Sequence, residues 1–311
     1  CAYIFAFKQN MFAGSPSEAL VVISYYAAYQ LLCLLGTAII FSVTGKKTKE
    51  FSSAFGYYCL CNSAYVLIGF IAGFGKLKWG IGYSGFLDYA SVNACLIAAT
   101  FPFVLPLFKD KRIIFAASLL PLLAVFASKS SVPVGAIAVA YLALVFSYYR
   151  DNLKAFLIPS LLMLGVFLIG SFFLDRNLFD SGYRFEAYKL FMGFWANKAP
   201  MLTGFGPGTF VVLAPQVQLE TSYMITGTTG SFWLFLHSEW LQVLFEYGVI
   251  GLLLCLIIFY LTCLTFYRNR RHEMLAAFLS LSASNLFNFN LRYAAGSLLL
   301  GFLLSAAIQL E

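Results

Sequence analysis

A histidine and a carboxylate open a long apolar stretch of this chain. His237 and Glu239 stand where a polar segment ends and the sequence LQVLFEYGVIGLLLCLIIFYL begins. Imidazole titrates near neutral pH, so a histidine can take up a proton during a reaction there, with the carboxylate beside it. The only other histidine, His272, lies in the basic run RNRRH. We therefore interpret His237 as the candidate catalytic base. Two alternatives stay open, since His237 can be an interfacial cap and Glu239 can simply favour a helix N-terminus.

The composition predicts that most of the chain lies in a membrane. Hydrophobic residues make up 61% of the sequence and charged residues 11%, and the mean hydropathy of +0.84 is above that of a soluble domain. A helix needs about 20 apolar residues to cross the hydrocarbon core. Nine segments reach or approach that length: 19–43, 51–74, 89–108, 113–128, 132–149, 154–174, 239–267, 274–289 and 292–310. The sequence therefore predicts an all-α, polytopic helical membrane protein, with residues 1–311 forming one integral membrane domain.

The basic residues orient these predicted spans. Short connections on one side hold eleven of the twenty Lys and Arg residues, whereas those on the other side hold five. The eleven are Lys46, Lys47, Lys49, Lys109, Lys111, Arg112, Arg150, Lys154, Arg268, Arg270 and Arg271. The positive-inside rule puts them in the cytoplasm, so the long loop 175–238, between the sixth and seventh spans, is extracytoplasmic. Membrane lipid accounts for much of the net charge of +7, and no nucleic-acid partner is indicated.

Neither a metal nor a cofactor is expected from the sequence. Six of the seven cysteines lie inside predicted spans, without the spacing of metal ligands or of a disulfide framework. They are most simply small apolar packing residues. The chain also has no P-loop for binding nucleotide phosphates.

The extracytoplasmic loop carries two patterns. Four apolar residues recur at helical spacing, which predicts a helix lying on the membrane surface with its aromatic side down. They are Ala187, Leu190, Phe191 and Phe194. The segment GFGPGTF predicts a glycine-rich turn at 204–210. Its backbone amides could cradle a phosphate, but a simple turn is the more common use of such a sequence.

The helix after His237 carries a second carboxylate, Glu246. It follows Glu239 by seven residues and therefore lies on nearly the same face. Glu246 would then lie more than two turns below His237, where an unpaired carboxylate is costly. We therefore expect Glu246 to face the bundle interior and to meet a cation or a hydrogen-bond donor. Gly248 and Gly251 follow, and residues this small allow close helix approach.

The order of these motifs resembles the O-antigen ligase and O-antigen polymerase superfamily. SGYR is followed by a tryptophan, then PMLTGFGPGTF, then HSEWLQVLFEYGVIG. The ligase motif is His, then Asn, Ser or Gln, nine residues, then Gly, two residues and Gly; here it runs from His237-Ser238 to Gly248 and Gly251. SVNACLIAATFPFVLPLF resembles the family's Asn-containing span. AVFASKSSVPVGAIAVAYL resembles its Ser-Arg segment, with Lys129 where arginine is usual.

The resemblance covers the chain from about residue 89 onward. Twelve spans are expected of such ligases, so it implies that three precede the nine predicted here. The chain opens on Cys1, and its nine spans would begin outside the cytoplasm. We therefore expect upstream helices that this sequence lacks, with a cleaved signal peptide as the alternative.

The resemblance implies a metal-independent and ATP-independent glycosyltransferase without a cofactor. It would transfer a glycan from undecaprenyl diphosphate to an acceptor hydroxyl at the periplasmic face of the bacterial inner membrane, with His237 as general base and Glu239 beside it. Arg184 is the first choice for holding the diphosphate, followed by Lys129 and Arg292. The supporting residues would be Asn93, Glu246, Asn288, Gly206, Gly208, Gly248 and Gly251. As alternatives, Arg184 can snorkel from the surface helix, and Lys129 can be only a topology signal.

The acceptor distinguishes three enzymes of this kind. A ligase would use lipid A-core, which we prefer because of the His-Ser, nine-residue, Gly-x-x-Gly match. A repeat-unit polymerase would use another glycan, and a protein O-oligosaccharyltransferase would use a protein hydroxyl. A transporter of lipid-linked glycans is the non-enzyme alternative. The sequence has neither a WWD-like motif of metal-dependent oligosaccharyltransferases nor the HExxH of zinc proteases.

Overall fold

The computed structural model describes residues 36, 39, 47–73, 90–149, 165, 184–220, 236–288, 290–292 and 294–309. Secondary structure in these residues is helical throughout, as the composition predicts. The predicted spans 19–43 and 154–174 lie almost wholly outside the described residues.

Within the described residues, nine α-helices follow one another along the chain. They are α1 (Thr48–Ala72), α2 (Ala90–Thr100), α3 (Lys111–Ala127), α4 (Ser131–Tyr149), α5 (Arg184–Lys198), α6 (Thr209–Glu220), α7 (Glu239–Arg268), α8 (His272–Ser284) and α9 (Ala294–Ile308). Two 3-10 helices accompany them: Phe101–Leu107 continues α2, and Asn290–Arg292 precedes α9.

Four helical stretches of the described chain are long and apolar enough to cross a membrane. They are Thr48–Ala72, Ala90–Leu107, Ser131–Tyr148 and Glu239–Arg268. Each begins and ends within a few residues of a predicted span. Helices α3 and α9 are apolar but shorter, and α8 ends at Ser284, before the predicted end of its span at residue 289. The protein is therefore a membrane protein, and the part of the chain that the structure describes is all-helical.

Helix α2 lies at the centre of the bundle. Nearly all of its residues are buried, and many of them are alanines or other small residues that let neighbouring helices approach closely. Helices α1, α3 and α4 pack against it around one apolar cluster. Helices α8 and α9 pack against it around a second cluster.

Hydrogen bonds show which helix ends lie together. Ser91 Oγ lies 2.9 Å from Ser130 Oγ and accepts a bond from Asn288 Nδ2 at 3.2 Å. The start of α2, the link between α3 and α4 and the turn after α8 therefore share one end of the bundle, called the site end below. At the opposite end, Tyr148 Oη donates to Glu273 Oε1 at 2.7 Å. The RNRRH turn between α7 and α8 lies at that opposite end.

Helix α7 reverses its direction at Gly248. This residue has φ 65° and ψ −164°, which is not helical. The rings of Trp240 and Phe259 have centroids 5.9 Å apart, although a straight helix would separate residues this far apart in sequence by about 28 Å. Segment α7a (239–247) therefore folds back alongside segment α7b (249–268). On its own α7b is about 30 Å long, which is enough to cross the hydrocarbon core.

The reversal corrects the expected depth of Glu246. Because α7a runs back alongside α7b, His237 lies closer to the RNRRH end of the bundle than Glu246 does, and the prediction that Glu246 lies deeper is wrong. Burial changes at the same point. Glu239 and Glu246 of α7a are buried, whereas Leu254 and Ile257 of α7b are more than half exposed. Segment α7b is thus the apolar outer wall of the bundle.

The loop segment 201–206 fills the break in α7. Interrupting a helix deprives backbone amides and carbonyls of their usual partners four residues away. Four backbone bonds replace them, and we call this arrangement the clasp. The bonds are Phe205 N to Phe245 O at 3.1 Å, Gly206 N to Glu246 O at 2.8 Å, Val249 N to Met201 O at 3.1 Å and Ile250 N to Leu202 O at 3.1 Å.

Two glycines make the clasp possible. Gly204 and Gly248 both have positive φ, at 68° and 65°. A Cβ on Gly204 would lie 2.6 Å from the backbone N of Gly248, and a Cβ on Gly248 would collide with the carbonyl of Leu202. The expectation of close approach at Gly248 is therefore met by a loop backbone instead of a neighbouring helix.

Helix α5 contains the periodic apolar residues of the loop, as predicted. Its apolar face includes Phe191 and Trp195, which are buried with residues of α6 and α7a in a third apolar cluster. The expected contact of this face with the membrane surface is wrong, because it packs against the protein. An amphipathic pattern alone does not distinguish these two surroundings.

Alanine at Gly204 or Gly248 should loosen the clasp. A side chain at positive φ costs about 1–2 kcal/mol, and each added methyl group would meet backbone atoms. We expect both variants to unfold at a lower temperature than the wild type when thermal unfolding in detergent is followed by tryptophan fluorescence.

Gly193→Ala is the matched control for these variants. Gly193 lies within α5, and a Cβ added there has no neighbour within 4 Å. Alanine is more helix-favouring than glycine by about 1 kcal/mol, so this variant should unfold at the wild-type temperature or above it. Clasp variants that are as stable as Gly193→Ala would contradict the described role of the two glycines.

Candidate active site

His237 is held by its neighbours in a left-handed backbone conformation. Its φ is 54°, which costs a non-glycine residue about 1–3 kcal/mol and persists only where the surroundings impose it. The hydroxyl of Tyr188 in α5 donates to His237 O at 2.8 Å. Ser238 follows as the N-cap of α7, and its Oγ accepts from Leu241 N at 3.3 Å. The imidazole is thus carried by a fixed turn and not by a mobile loop end.

Segment α7a docks on the end of α8 through its first two residues. Glu239 N donates to Asn285 O at 2.9 Å, and Trp240 Nε1 donates to Ser282 O at 3.2 Å. Glu239 itself is buried, with 7% of its surface exposed. A carboxylate in the first turn of a helix is stabilised by the helix dipole. These contacts bring His237 next to the turn that follows α8.

Arg184 reaches the same turn from the other side. It is the first residue of α5, and its Nη1 donates to Phe287 O at 3.1 Å. This bond uses one of the five N–H donors of the guanidinium. The geometry places a planar cation beside the turn on which α7a docks.

The electrostatics of the site keep the imidazole neutral. Burial, and then the positive charge of Arg184, lower the pKa of His237 from 6.5 to about 3. Both effects disfavour the imidazolium form. Burial also raises the pKa of Tyr188 to about 12, so its hydroxyl remains a donor to the His237 carbonyl. At neutral pH His237 therefore offers an unprotonated ring nitrogen that can accept a proton.

Amide side chains hold the turn between α8 and α9. Asn288 is fully buried, and its Nδ2 donates to Ser91 Oγ at 3.2 Å and to Cys95 Sγ at 3.5 Å. Asn290 Nδ2 donates to Ser284 Oγ at 2.7 Å and to Asn285 Oδ1 at 2.9 Å. These bonds fix the carbonyls that receive Arg184 and Glu239. Arg292 ends the 3-10 helix that follows the turn.

Lys129 lies at the site end, in the link between α3 and α4, with φ 51°. It is linked to the turn after α8 through its neighbour, because Ser130 contacts Ser91 and Ser91 accepts from Asn288. These hydrogen bonds connect the link that contains Lys129 to the turn after α8. They do not bring Lys129 into contact with His237 or Arg184.

Asn93 points away from this end of the site. Its amide exchanges hydrogen bonds with the amide of Asn62 in α1, at 2.9 and 3.2 Å, and it is buried. Ser91 and Cys95 lie on the face of α2 that meets Asn288. Residues two positions away on a helix point about 200° apart, whereas residues four apart share a face.

Sequence analysis did not single out Ser91, Ser130 or Tyr188, although the spacing of Ser91 and Cys95 was visible.

The glycine-rich turn and Glu246 form a second cluster at the apex of α7. Glu246 is buried, and its carboxylate accepts from Gly208 N at 3.0 Å and from Gln242 Nε2 at 2.9 Å, which meets the expectation of a donor. The amide of Gly206 donates to the clasp. Because these amides already have protein acceptors, the geometry favours the turn over a phosphate cradle. A Cβ on Gly251 would collide with Tyr247, so this glycine accommodates the apex.

The structure therefore divides the predicted residues between two places. The turn after α8 brings together His237, Glu239, Arg184 and Asn288, with Lys129 and Arg292 at the same end of the bundle. The apex of α7 is surrounded by Glu246, Gly206, Gly208, Gly248 and Gly251. Within the described ranges, no group of three or more His, Cys, Asp or Glu residues could hold a metal ion. The first place combines a proton acceptor with a cation, which suits deprotonation of a hydroxyl beside an anionic group.

Comparison with known proteins finds a family that part of the chain resembles. The family model described as O-antigen ligase matches residues 116–256. The match begins in α3 and ends in α7b, so it includes Lys129, Arg184, His237 and the whole clasp. The curated proteins contain no match to the chain. Over residues 116–256, just under half of its length, the chain is therefore similar to the O-antigen ligase family.

Proposed function

We propose that this protein transfers a glycan from undecaprenyl diphosphate to an acceptor hydroxyl, with lipid A-core as the acceptor. The family match supports an O-antigen ligase or polymerase-like function and glycosyltransferase-like activity in general. The observation that carries the proposal is that the turn of His237 and the guanidinium of Arg184 meet at the turn after α8, where Glu239 N donates to Asn285 O and Arg184 Nη1 donates to Phe287 O. A glycosyl diphosphate and a hydroxyl nucleophile need such a base and such a cation.

The proposed reaction is a displacement at the anomeric carbon of the donor. A ring nitrogen of His237 accepts the proton of the acceptor hydroxyl as the oxygen forms its bond to that carbon. The bond from the carbon to the diphosphate oxygen breaks, and the electron pair leaves with undecaprenyl diphosphate. The guanidinium of Arg184 stabilises the negative charge that develops on this leaving group. The donor linkage is already activated, so the reaction consumes no ATP, and the proposed mechanism uses no metal or cofactor.

Binding of the donor would convert His237 into a stronger base. In the ligand-free site the pKa of His237 is about 3 because of burial and Arg184, and a base works best when its pKa lies near the working pH. The negative charges of a diphosphate would offset Arg184 and favour imidazolium, which raises the pKa of His237. The imidazole then becomes an effective proton acceptor only when a donor is bound.

The remaining residues of the site end have supporting roles in this proposal. Lys129 and Arg292 add positive charge for the diphosphate. Glu239 lies two residues from His237 and would stabilise the imidazolium that forms during the reaction. Asn288 fixes the turn against which Arg184 rests. Asn93 supports α2 from within the bundle through Asn62.

The proposed location is the bacterial inner membrane, with the site end in the periplasm. The RNRRH turn lies at the end of the bundle opposite the site. Basic connections of membrane proteins prefer the cytoplasm, which supports a periplasmic orientation for His237 and for the extracytoplasmic loop 175–238. Lipid-linked glycans and membrane lipid are the partners expected there.

A repeat-unit polymerase is the second candidate, because the family match supports both reactions. Protein O-glycosylation and transport of a lipid-linked glycan are further alternatives. Deletion of the gene, followed by gel analysis of surface glycans, distinguishes them. We expect uncapped lipopolysaccharide and accumulated lipid-linked polymer for a ligase. Glycans limited to one repeat would identify a polymerase instead.

His237→Ala should abolish most of the transfer. Losing a general base lowers the rate by about 10²–10⁴-fold, so we expect that loss in the release of undecaprenyl diphosphate from a lipid-linked glycan and acceptor by purified protein. His272→Gln is the control, since His272 lies at the opposite end and packs on Tyr148. If the wild type releases no undecaprenyl diphosphate, the transferase proposal fails. If His237→Ala retains wild-type turnover, the base assignment fails.

Arg184→Gln should raise the pKa of His237 in the ligand-free protein. The positive charge that disfavours imidazolium is removed, whereas burial, the larger cause, remains. The midpoint should therefore rise from about 3 but stay below 6.5. NMR titration of histidine-labelled protein in a His272→Gln background gives the single signal needed. Inorganic diphosphate should raise the wild-type midpoint and leave that of Arg184→Gln nearly unchanged; a midpoint that falls on removing Arg184 would contradict the assigned interaction.

A further inference from the structure

Segment α7a carries two polar side chains inside an apolar cluster. Gln242 and Glu246 lie one helical turn apart and are each only 1% exposed. Around them the third apolar cluster contains Phe205, Phe210 and Phe245. Burying an amide and a carboxylate is costly unless their hydrogen bonds are satisfied. Their presence therefore calls for a role that apolar side chains of similar size could not fill.

The two side chains form a continuous chain of hydrogen bonds. Gly208 N donates to Glu246 Oε2 at 3.0 Å, and Gln242 Nε2 donates to Glu246 Oε1 at 2.9 Å. The other atom of the Gln242 amide, Oε1, accepts from Leu236 N at 3.3 Å. One end of the chain is thus the glycine-rich turn beside the clasp, and the other end is the residue directly before His237.

The last of these bonds completes the fixation of the His237 turn. Leu236 N is held by Gln242 on one side of His237, and His237 O is held by Tyr188. On the other side, Ser238 caps the helix by accepting from Leu241 N. The backbone before, at and after the histidine is therefore fixed by three hydrogen bonds, which involve two elements, α5 and α7a. The left-handed conformation of His237 depends on such restraint.

We infer that Gln242 and Glu246 are positioning residues for His237, which link the conformation of the catalytic turn to the glycine-rich turn 204–208. They touch no reacting atom in this arrangement and act through the backbone of Leu236. The inference rests on the proposed function for its catalytic meaning, although the hydrogen-bond chain can be tested without it. When the glycine-rich turn moves, the carboxylate of Glu246 loses a donor, and the restraint on Leu236 weakens.

The order of donors and acceptors along the chain allows a test by exchange of the two side chains. In Glu246→Gln, two amides face each other; the new glutamine can accept from Gly208 N, but its NH2 group meets that of Gln242. Turning the Gln242 amide over would restore this contact and lose the bond to Leu236 N. In Gln242→Glu, two carboxylates face each other without a proton donor between them. Each single variant should therefore break the chain.

The double variant Gln242→Glu/Glu246→Gln should rebuild the chain. The new amide oxygen at position 246 accepts from Gly208 N, and its NH2 group donates to the new carboxylate at position 242. The second oxygen of that carboxylate accepts from Leu236 N. The exchange preserves the side-chain sizes, the net charge and all three hydrogen bonds. A defect of the single variants that the double variant reverses is therefore due to the order of donors and acceptors and not to the residue types present.

The first measurement is the kinetics of glycan transfer, normalised to the folded fraction in detergent. We expect kcat to fall about tenfold in each single variant, since a buried donor or acceptor that loses its partner weakens the restraint on the His237 turn. The KM for the lipid-linked donor should change little, because Arg184 is untouched. The double variant should recover most of the wild-type kcat. Glu50→Gln, an exposed position in the first turn of α1, is the matched control and should leave kcat unchanged.

The second measurement is amide hydrogen exchange, which requires no activity. Exchange at Leu236 should accelerate in both single variants, return to the wild-type rate in the double variant and stay at that rate in Glu50→Gln. Unchanged exchange in the single variants would overturn the hydrogen-bond chain. Altered exchange with an unchanged kcat, or a double variant that recovers exchange but not kcat, would overturn the positioning role. A wild type without transferase activity would instead refute the proposed function, and the exchange data would still decide whether the chain exists.

Discussion

The reversal of α7 at Gly248 is the constraint on which the rest of the site depends. A straight helix of this length would carry His237 far from the bundle, whereas the reversal returns it to the turn after α8. There Arg184 reaches the same turn from α5. Interrupting the helix would be costly in a membrane protein, because exposed backbone groups lack water as a partner. The clasp reduces that cost by supplying backbone partners to the carbonyls of Phe245 and Glu246 and to the amides of Val249 and Ile250.

The described parts of the loop before α7 thereby pack against the helix that they precede. Helices α5 and α6 share an apolar cluster with α7a, and α7b faces outward on its own. The two segments on either side of Gly248 have different roles: α7b is long enough to span the membrane, and α7a positions the imidazole of His237. The polar chain through Glu246 and Gln242 runs along α7a between the clasp and His237. In this arrangement the backbone position of His237 depends on contacts with the loop segment before α7.

Much of this could be predicted from local sequence. The lengths of the apolar segments predict the bounds of α2, α4 and α7. The sequence also predicts hydrogen-bond donors around a buried Glu246, because an unsatisfied carboxylate is too costly. The direction of α7a could not be predicted, because it depends on backbone pairing between 201–206 and 245–250, which has no side-chain pattern. The surroundings of α5 were missed since an apolar stripe suits lipid and protein equally. Asn93 was assigned to the site by resemblance, yet its face of α2 is set by Asn62, which only the packing reveals.

The nine residues between Ser238 and Gly248 set the distance and the rotation of His237 relative to the break in α7. Their side chains can vary wherever the cluster permits, but their number cannot, because one residue more or less would rotate His237 by about 100° around α7a and shift it by about 1.5 Å. Such a change would turn the imidazole away from Arg184 while leaving every residue type in place. The position of His237 therefore depends on the length of this segment as well as on the side chains around it.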